Sequence, residues 1–449
     1  MRVRHVLIGI AALLPMALPV YAANETASHE ARLTELEAKV LRLEALLEQQ
    51  FNELDQSCAR VEDVEEALAS CASVEQVEEA LVEAVDHPTM FNETEIKVGG
   101  FVKMDALISD YSAAPTRGVG EDFFIPSTIA TSGEPQDPRL NFHAKETRFW
   151  LKSFTPTQQG DITTHFEIDF MLGQQGNERV GNSFSPRIRH ASFSWDRWTF
   201  GQTWTNFFNV STLPGYLDFI GPVGVTFARQ AQIRYTLPTT DGNWAFSLEN
   251  PETTLTPYGG GDRIDADDSS VPDLVVRRNW TGGWGNLSVA ALIRELKIAE
   301  SGINDTEIGA AIGIAGKFVV SDRDDLRWQL NYGNALGRYM GLNSFNVGAL
   351  DENNEIQLTT SYGVLAAYRH VWNEELHSSF GASFSQADND TSISGFAVPE
   401  SYQSAHADIV WTPFDRMSVG VEYIWGRRKD ESGDDGALNR LQFSAKYRY

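Results

Sequence analysis

ALNRLQFSAKYRY, residues 437–449, alternates without a break up to its final residue. Leu441, Phe443, Ala445, Tyr447 and Tyr449 fall on one face, and Arg440, Gln442, Ser444, Lys446 and Arg448 on the other. A period of two is that of a β-strand whose faces meet different media. Terminal residues of soluble chains usually fray, so this regularity points to a strand held in a membrane. Apolar residues toward lipid and charged residues toward a water-filled lumen make the transmembrane β-barrel pattern. An edge strand of a soluble sandwich also alternates, and the rest of the chain decides between them.

The other end predicts export. Arg2 and Arg4 precede a nearly unbroken apolar run from Val6 to Val20, and Val20-Tyr21-Ala22 offers a small-residue cleavage site. Residues 1–22 therefore read as a secretory signal peptide, too short to span a bilayer. No later run of 18 apolar residues follows. An exported chain without a spanning helix is either a soluble protein or an outer-membrane barrel. Eleven Trp, 25 Phe and 13 Tyr are ample for aromatic girdles at two membrane interfaces. A formal charge of −26 argues against nucleic acid as a partner.

That charge divides the chain. Residues 23–93 hold 18 Asp and Glu against 4 Lys and Arg, a net of −14. Within them Leu33, Leu36, Val40, Leu43, Leu47, Gln50 and Leu54 recur at alternating steps of three and four. The seam predicts a left-handed coiled coil and self-association, against the rival of an amphipathic helix lying on its own barrel. The segment beginning Ser57-Cys58-Ala59 returns thirteen residues later as Ser70-Cys71-Ala72 and carries both cysteines. In an oxidising compartment a disulfide is expected. Thirteen residues of continuous helix separate two Cα atoms by roughly 20 Å, too far to bridge. Either the helix breaks between them or each cysteine pairs with another chain, and a non-reducing gel separates the two cases. The expected organisation is residues 1–22 signal, 23–85 helical, 86–94 linker and 95–449 barrel.

From Glu95 the chain reads as strands. Ile96, Val98, Val102, Met104 and Ile108 oppose Lys97, Lys103 and Asp105; Phe149 and Leu151 oppose Arg148 and Lys152. Ile162, Phe166, Ile168 and Phe170 oppose Thr163, His165, Glu167 and Asp169. Leu326, Trp328, Leu330 and Tyr332 oppose Asp325, Arg327, Gln329 and Asn331. Acidic, Gly-rich loops at 259–270 and 429–436 alternate with short turns such as 155–160, as in outer-membrane barrels. At about 22 residues per strand and connection, the domain accommodates roughly 16 antiparallel strands, enough for an aqueous channel.

These residues also resemble a known family. Lys97-Val98-Gly99-Gly100-Phe101-Val102-Lys103-Met104-Asp105, Gly201-Gln202-Thr203-Trp204-Thr205 and Leu217-Asp218-Phe219-Ile220-Gly221-Pro222 carry the likeness. Arg229-Gln230-Ala231-Gln232-Ile233-Arg234-Tyr235, Glu249-Asn250-Pro251-Glu252-Thr253, Leu336-Gly337-Arg338-Tyr339, Ser404-Ala405-His406-Ala407 and Gly420-Val421-Glu422-Tyr423 extend it. Across residues 97–449 the chain is similar to the DcaP-like family of outer-membrane porins. The resemblance implies a homotrimer of 16-stranded barrels with an N-terminal periplasmic coiled coil, taking up small anions including dicarboxylates. Two positions depart from the family pattern: Ile220 stands where an acid is expected, which bears on the charge of the constriction loop, and Ala231 stands where proline is expected.

The residues point the same way on their own chemistry. By parity Lys103, Arg148, Lys152, Arg187, Arg189, Arg277 and Arg294 face the lumen, as do Arg234, Arg440, Lys446 and Arg448. Rings of Arg and Lys select anions, and guanidinium groups hold carboxylates with two hydrogen bonds. The competing reading pairs these bases with Glu146, Glu167, Asp169 and Glu249 as wall supports. Residues 206–229, punctuated by Pro214-Gly215 and Gly221-Pro222, form the expected constriction loop, with Asp218, Gly221 and Pro222 marking it. Arg229 and Arg234 lie beyond it as the expected carboxylate contacts. His143, His165, His190 and His406 lack metal-ligand spacing, and residues 262–268 lack that of a calcium loop. No phosphate loop or nucleophile elbow stands out, so no cofactor or catalytic residue is expected. The expected function is passive, anion-preferring diffusion across a Gram-negative outer membrane. The rivals are an outer-membrane hydrolase, which needs fewer strands, and a plugged barrel anchoring a coiled-coil interaction module.

Overall fold

The computed structural model describes residues 94–113, 118–172, 176–177, 181–300 and 302–449. The expected signal peptide and coiled coil, and both cysteines, lie outside the described residues.

Alternating sequence becomes a closed cylinder. Each strand pairs antiparallel with the next along the chain, and Glu95–Tyr111 closes the sheet against Asp435–Arg448. The register of the closure runs from Phe101 opposite Arg448 to Tyr111 opposite Leu438. On its other edge Glu95–Tyr111 pairs with both Arg139–His143 and Arg148–Thr155. Those two segments are one stave interrupted at residues 144–147, so the seventeen assigned strands make sixteen staves. Closure leaves no unpaired edge, the condition for a sheet in hydrocarbon.

Burial is inverted relative to a soluble fold, and that fixes which face meets lipid. Val98, Leu140 and Ile308 are each more than 60% exposed, whereas Lys103, Asp105 and Arg440 are 1% exposed. Trp195, Trp198, Trp244, Trp284, Trp372 and Trp411 are all exposed beside the short turns, forming a girdle at that end. Among the described residues no helix is long and apolar enough to cross a membrane.

The connections differ at the two ends. One end has turns as tight as Asp196-Arg197 between Trp195 and Trp198, and the other carries the long segments. The turn at residues 320–324 shows how these short connections are held. Asp324 accepts from the Val371 amide at 2.9 Å and the Tyr368 hydroxyl at 2.7 Å, and lies 3.0 Å from His370 Nδ1. Those bonds, the Val371 amide first, hold its carboxyl down at about 2. A folded value below the ordinary one gives a contribution complete above about pH 4 and lost as pH falls toward about 2. Hydrogen exchange at the Val371 amide should therefore stay slow from neutral pH to about 4; acceleration already at about pH 5 would refute the pairing.

Two loop expectations need correction. Residues 429–436 are not a long loop: Met417–Asp430 and Asp435–Arg448 leave only residues 431–434 between them. Residues 259–270 are not wholly irregular, because Ile264–Ala266 joins Thr253–Thr256, Gly348–Leu350 and Ile356–Leu358 in a small sheet. Leu255, Ala266, Leu296, Ile298, Val347, Leu350 and Ile356 give that sheet its own apolar core, which strand periodicity alone does not reveal. Phe170 also falls one residue beyond its strand, Ile162–Asp169.

Candidate permeation path

Residues 205–228 enter the barrel and line its inner wall. The loop leaves Trp198–Trp204, returns into Arg229–Thr239, and is pinned at its neck by the Thr205 amide donating to Ala228 O at 3.1 Å. Inward-facing side chains then hold the loop, most of them by bonding its backbone. The Asn206 amide donates to Glu249 at 2.7 Å, and the Asn209 side chain donates to Ser288 at 3.0 Å. Arg327 donates to Leu213 O, Asp218 N to Glu422 at 2.7 Å, Gly224 N to Ser383 at 2.8 Å and Thr226 N to Gln329 at 2.9 Å. Lys103 and Gln442 donate to Leu217 O at 2.6 and 3.2 Å. Buried backbone polar groups need such partners, and here the barrel wall supplies them.

Close approach requires glycine at the contact. A Cβ on Gly224 would sit 2.8 Å from the Val364 backbone, and one on Gly363 would meet Gly224 at 3.0 Å. The loop therefore lies backbone to backbone on the wall. Its apolar side chains, Phe208, Ile220, Val225 and Phe227, pack with Phe123, Ile125 and Met171. Tyr216 stacks on His406 at 4.7 Å, and His406 in turn contacts Glu422 at 2.8 Å.

Asp218, Gly221 and Pro222 lie within this infolded segment. Asp218 is buried and accepts from the amides of Phe124, Ile220 and Gly221. Its charge is used in holding the loop. Gly221 adopts φ +89°, a left-handed conformation suited to glycine at the bend. Ile220, standing where an acid was expected, is buried among the apolar residues. The described loop thus turns no free carboxylate toward the opposite wall.

On that wall the structure divides the candidate bases into two kinds. Lys103 is buried between Asp105 at 3.3 Å and Glu146, and Arg294 is buried against Asp273 at 3.0 Å and the carbonyls of Ala335 and Glu252. Arg234 donates to Gln232 and Trp204 O, and Arg277 to Phe208 O. Arg189 bridges Glu167 and Asp169, each at 2.6 Å. These five hold wall and loop together. Arg148 has only a 3.5 Å contact with Glu167 and lies over Phe101. Lys152 lies over Trp150 and lines a cavity of about 360 Å³ at the turn end with Lys97 and His165.

Arg229 differs from all of them. Its guanidinium carbon lies 3.6 Å from the Trp204 ring centroid and 5.2 Å from that of Phe227. Nε and Nη2 are buried with no hydrogen-bond partner among the described residues. With Gln230, Arg338 and Asn343 it lines a second cavity, of about 390 Å³, whose other wall is Ile125, Leu172, Phe227 and Leu342. A buried cation without an acid is costly, and the aromatic faces offset part of that cost.

Sequence reasoning missed two further inward segments. Around residues 118–130, Tyr111 and Arg440 donate to Gly120 O, and Phe123, Phe124 and Ile129 are buried. Around residues 334–347, Phe227 N donates to Tyr339 O and Gly341 N to Val225 O. Part of the signal was available: Phe123-Phe124-Ile125 is an apolar run, whereas Leu336, Tyr339 and Met340 are broken by Gly337 and Arg338.

Comparison with known proteins agrees with this architecture. The family model described as DcaP outer membrane protein matches residues 36–449. The crystal structure of the outer membrane channel DcaP of Acinetobacter baumannii superposes with a TM-score of 0.67 at 23% identity, covering 79% of this chain and 97% of that one. The trimer form of OmpT of Vibrio cholerae gives 0.50 at 11%, with 80% and 100% covered. The anion-selective porin from Comamonas acidovorans gives 0.50 at 10%, again with 80% and 100% covered. A search of curated proteins found no match.

Proposed function

Since the chain belongs to the DcaP outer membrane protein family, we propose that it is a passive, anion-preferring outer-membrane channel for small solutes such as dicarboxylates. The supporting observation is Arg229, a lumen cation with no carboxylate partner among the described residues, beside an infolded loop whose one acid, Asp218, is consumed by backbone amides. Arg148 adds a second loosely paired guanidinium on the same wall. Two such forks within one narrow passage suit a solute carrying carboxylates. The sixteen-stave barrel favours a channel over the hydrolase reading. Self-association as a homotrimer and a periplasmic N-terminal coiled coil belong to the same proposal, and native mass spectrometry of the detergent complex tests the assembly.

The charge preference is tested in planar bilayers by the zero-current potential across a KCl gradient. The wild type should favour chloride. Arg148→Glu with Arg229→Glu should lower the anion-to-cation permeability ratio by about tenfold, the scale of replacing two local cations with anions in a partly desolvated passage. An unchanged ratio would remove these two residues from the selectivity mechanism.

A further inference from the structure

The lumen charges are unevenly spread along the barrel axis. At the turn end, Lys97, Lys152, Lys317, Arg369, Lys446 and Arg448 share the inward parity. Inward acids interspersed with them include Glu95, paired with Lys97, Asp325, paired with Arg327 and Lys317, Glu146, paired with Lys103 near Lys446, and Asp408, which accepts from Ser379 opposite Arg369, so the bases outnumber them. At the loop end the balance reverses. Residues 250–272, 334–359 and 431–434 carry ten acids against Arg263 and Arg338. Asp262, Asp265, Asp267, Glu352, Glu355 and Asp434 are exposed there. Arg338 is already committed to Glu252 and Gln230, and Arg263 to Asn346 and Asn343 O.

We infer that the channel rectifies: it passes more current when the loop end is positive than when it is negative. The inference rests on the channel reading above but not on its overall anion preference. Fixed cations enrich anions at the turn end, and fixed anions enrich cations at the loop end. A loop-positive voltage drives anions from the basic vestibule into the channel and cations inward from the acidic rim, so both carriers accumulate between the two zones. The opposite voltage draws each away and depletes the middle. Short turns are periplasmic in such barrels and long loops extracellular, so the high-conductance sense is extracellular side positive.

The test is the instantaneous single-channel current at equal and opposite voltages, read before any voltage-driven closure. Orientation is reported by one-sided nickel block of a hexahistidine insertion between Ser432 and Gly433. In about 0.1 M KCl, where screening reaches about 10 Å, the current ratio should be about twofold or more, and in about 1 M KCl, where it reaches about 3 Å, close to one. Lys152→Gln with Lys446→Gln should reduce the low-salt ratio toward one while the channel remains open. Symmetric currents at low salt, the reverse sense, or a ratio indifferent to salt and to these substitutions would overturn the inference. The zero-current potential is read separately, so loss of anion preference and loss of rectification are distinguishable outcomes.

Discussion

Replacing Phe207–Thr226 by a two-residue Gly-Ser link should raise single-channel conductance several-fold while leaving the barrel folded. The ends can be joined because Thr205 N already donates to Ala228 O at 3.1 Å. The groups that lose the loop, among them Lys103, Ser383, Gln329 and Glu422, point into the lumen, so water replaces the lost hydrogen bonds. A buried polar group stripped of its partner is costly only where water cannot reach it. The packing of Phe208, Ile220 and Val225 against Phe123 and Ile125 disappears as well, freeing the segment around residue 123. Single-channel recording measures the change. Conductance at the wild-type level would mean that another segment sets the narrowest point.

Arg294→Met should destabilise the barrel by about 3–5 kcal/mol, the cost of breaking a buried ion pair and leaving one charge unpartnered. Arg294 is 1% exposed and joins Asp273, Ala335 O and Glu252 O beneath Tyr339. Adding Asp273→Leu should recover part of the loss by removing the stranded carboxylate. The Tyr339 hydroxyl, which donates to Asp273 at 2.9 Å, retains Glu249 at 3.3 Å as an alternative. Urea unfolding in lipid vesicles measures both variants. A double variant no more stable than the single one would show that the charge pair is not the source of the cost.

The cylinder was legible in the sequence because its strands obey one local rule, alternation between lipid and lumen. That rule reaches from Ile96 to Tyr449 and fixes the parity of Arg148, Lys152 and Arg189. It does not report what lies across the lumen from a given residue. Lys103 and Arg294 share the inward parity with Arg148, yet Glu146 and Asp273 neutralise them and Arg148 keeps only a 3.5 Å contact. Such pairings depend on register between distant strands, and Lys103 meets Leu217 O across more than a hundred residues. The proline and glycine punctuation marked residues 206–229 as an irregular segment, and the structure lays residues 205–228 against the inner wall. The infolding around residues 123 and 339 was not legible, because apolar side chains in a loop signal burial without saying against what. Arg229 was singled out by position beside the loop, and its distinguishing feature, the stack on Trp204, appears only in three dimensions.

The account depends on the two faces of each strand meeting hydrocarbon and lumen, and the closing strand tests this most directly. Spin labels placed singly at residues 439–447, with Cys58 and Cys71 replaced by serine, report oxygen and nickel-chelate accessibility in bilayers. Labels at Leu441, Phe443 and Ala445 should show high oxygen accessibility, those at Gln442 and Ser444 low values beneath the loop, and one at Lys446 access to nickel. Accessibilities that follow no period of two, or that place Gln442 and Ser444 in contact with lipid, would contradict it.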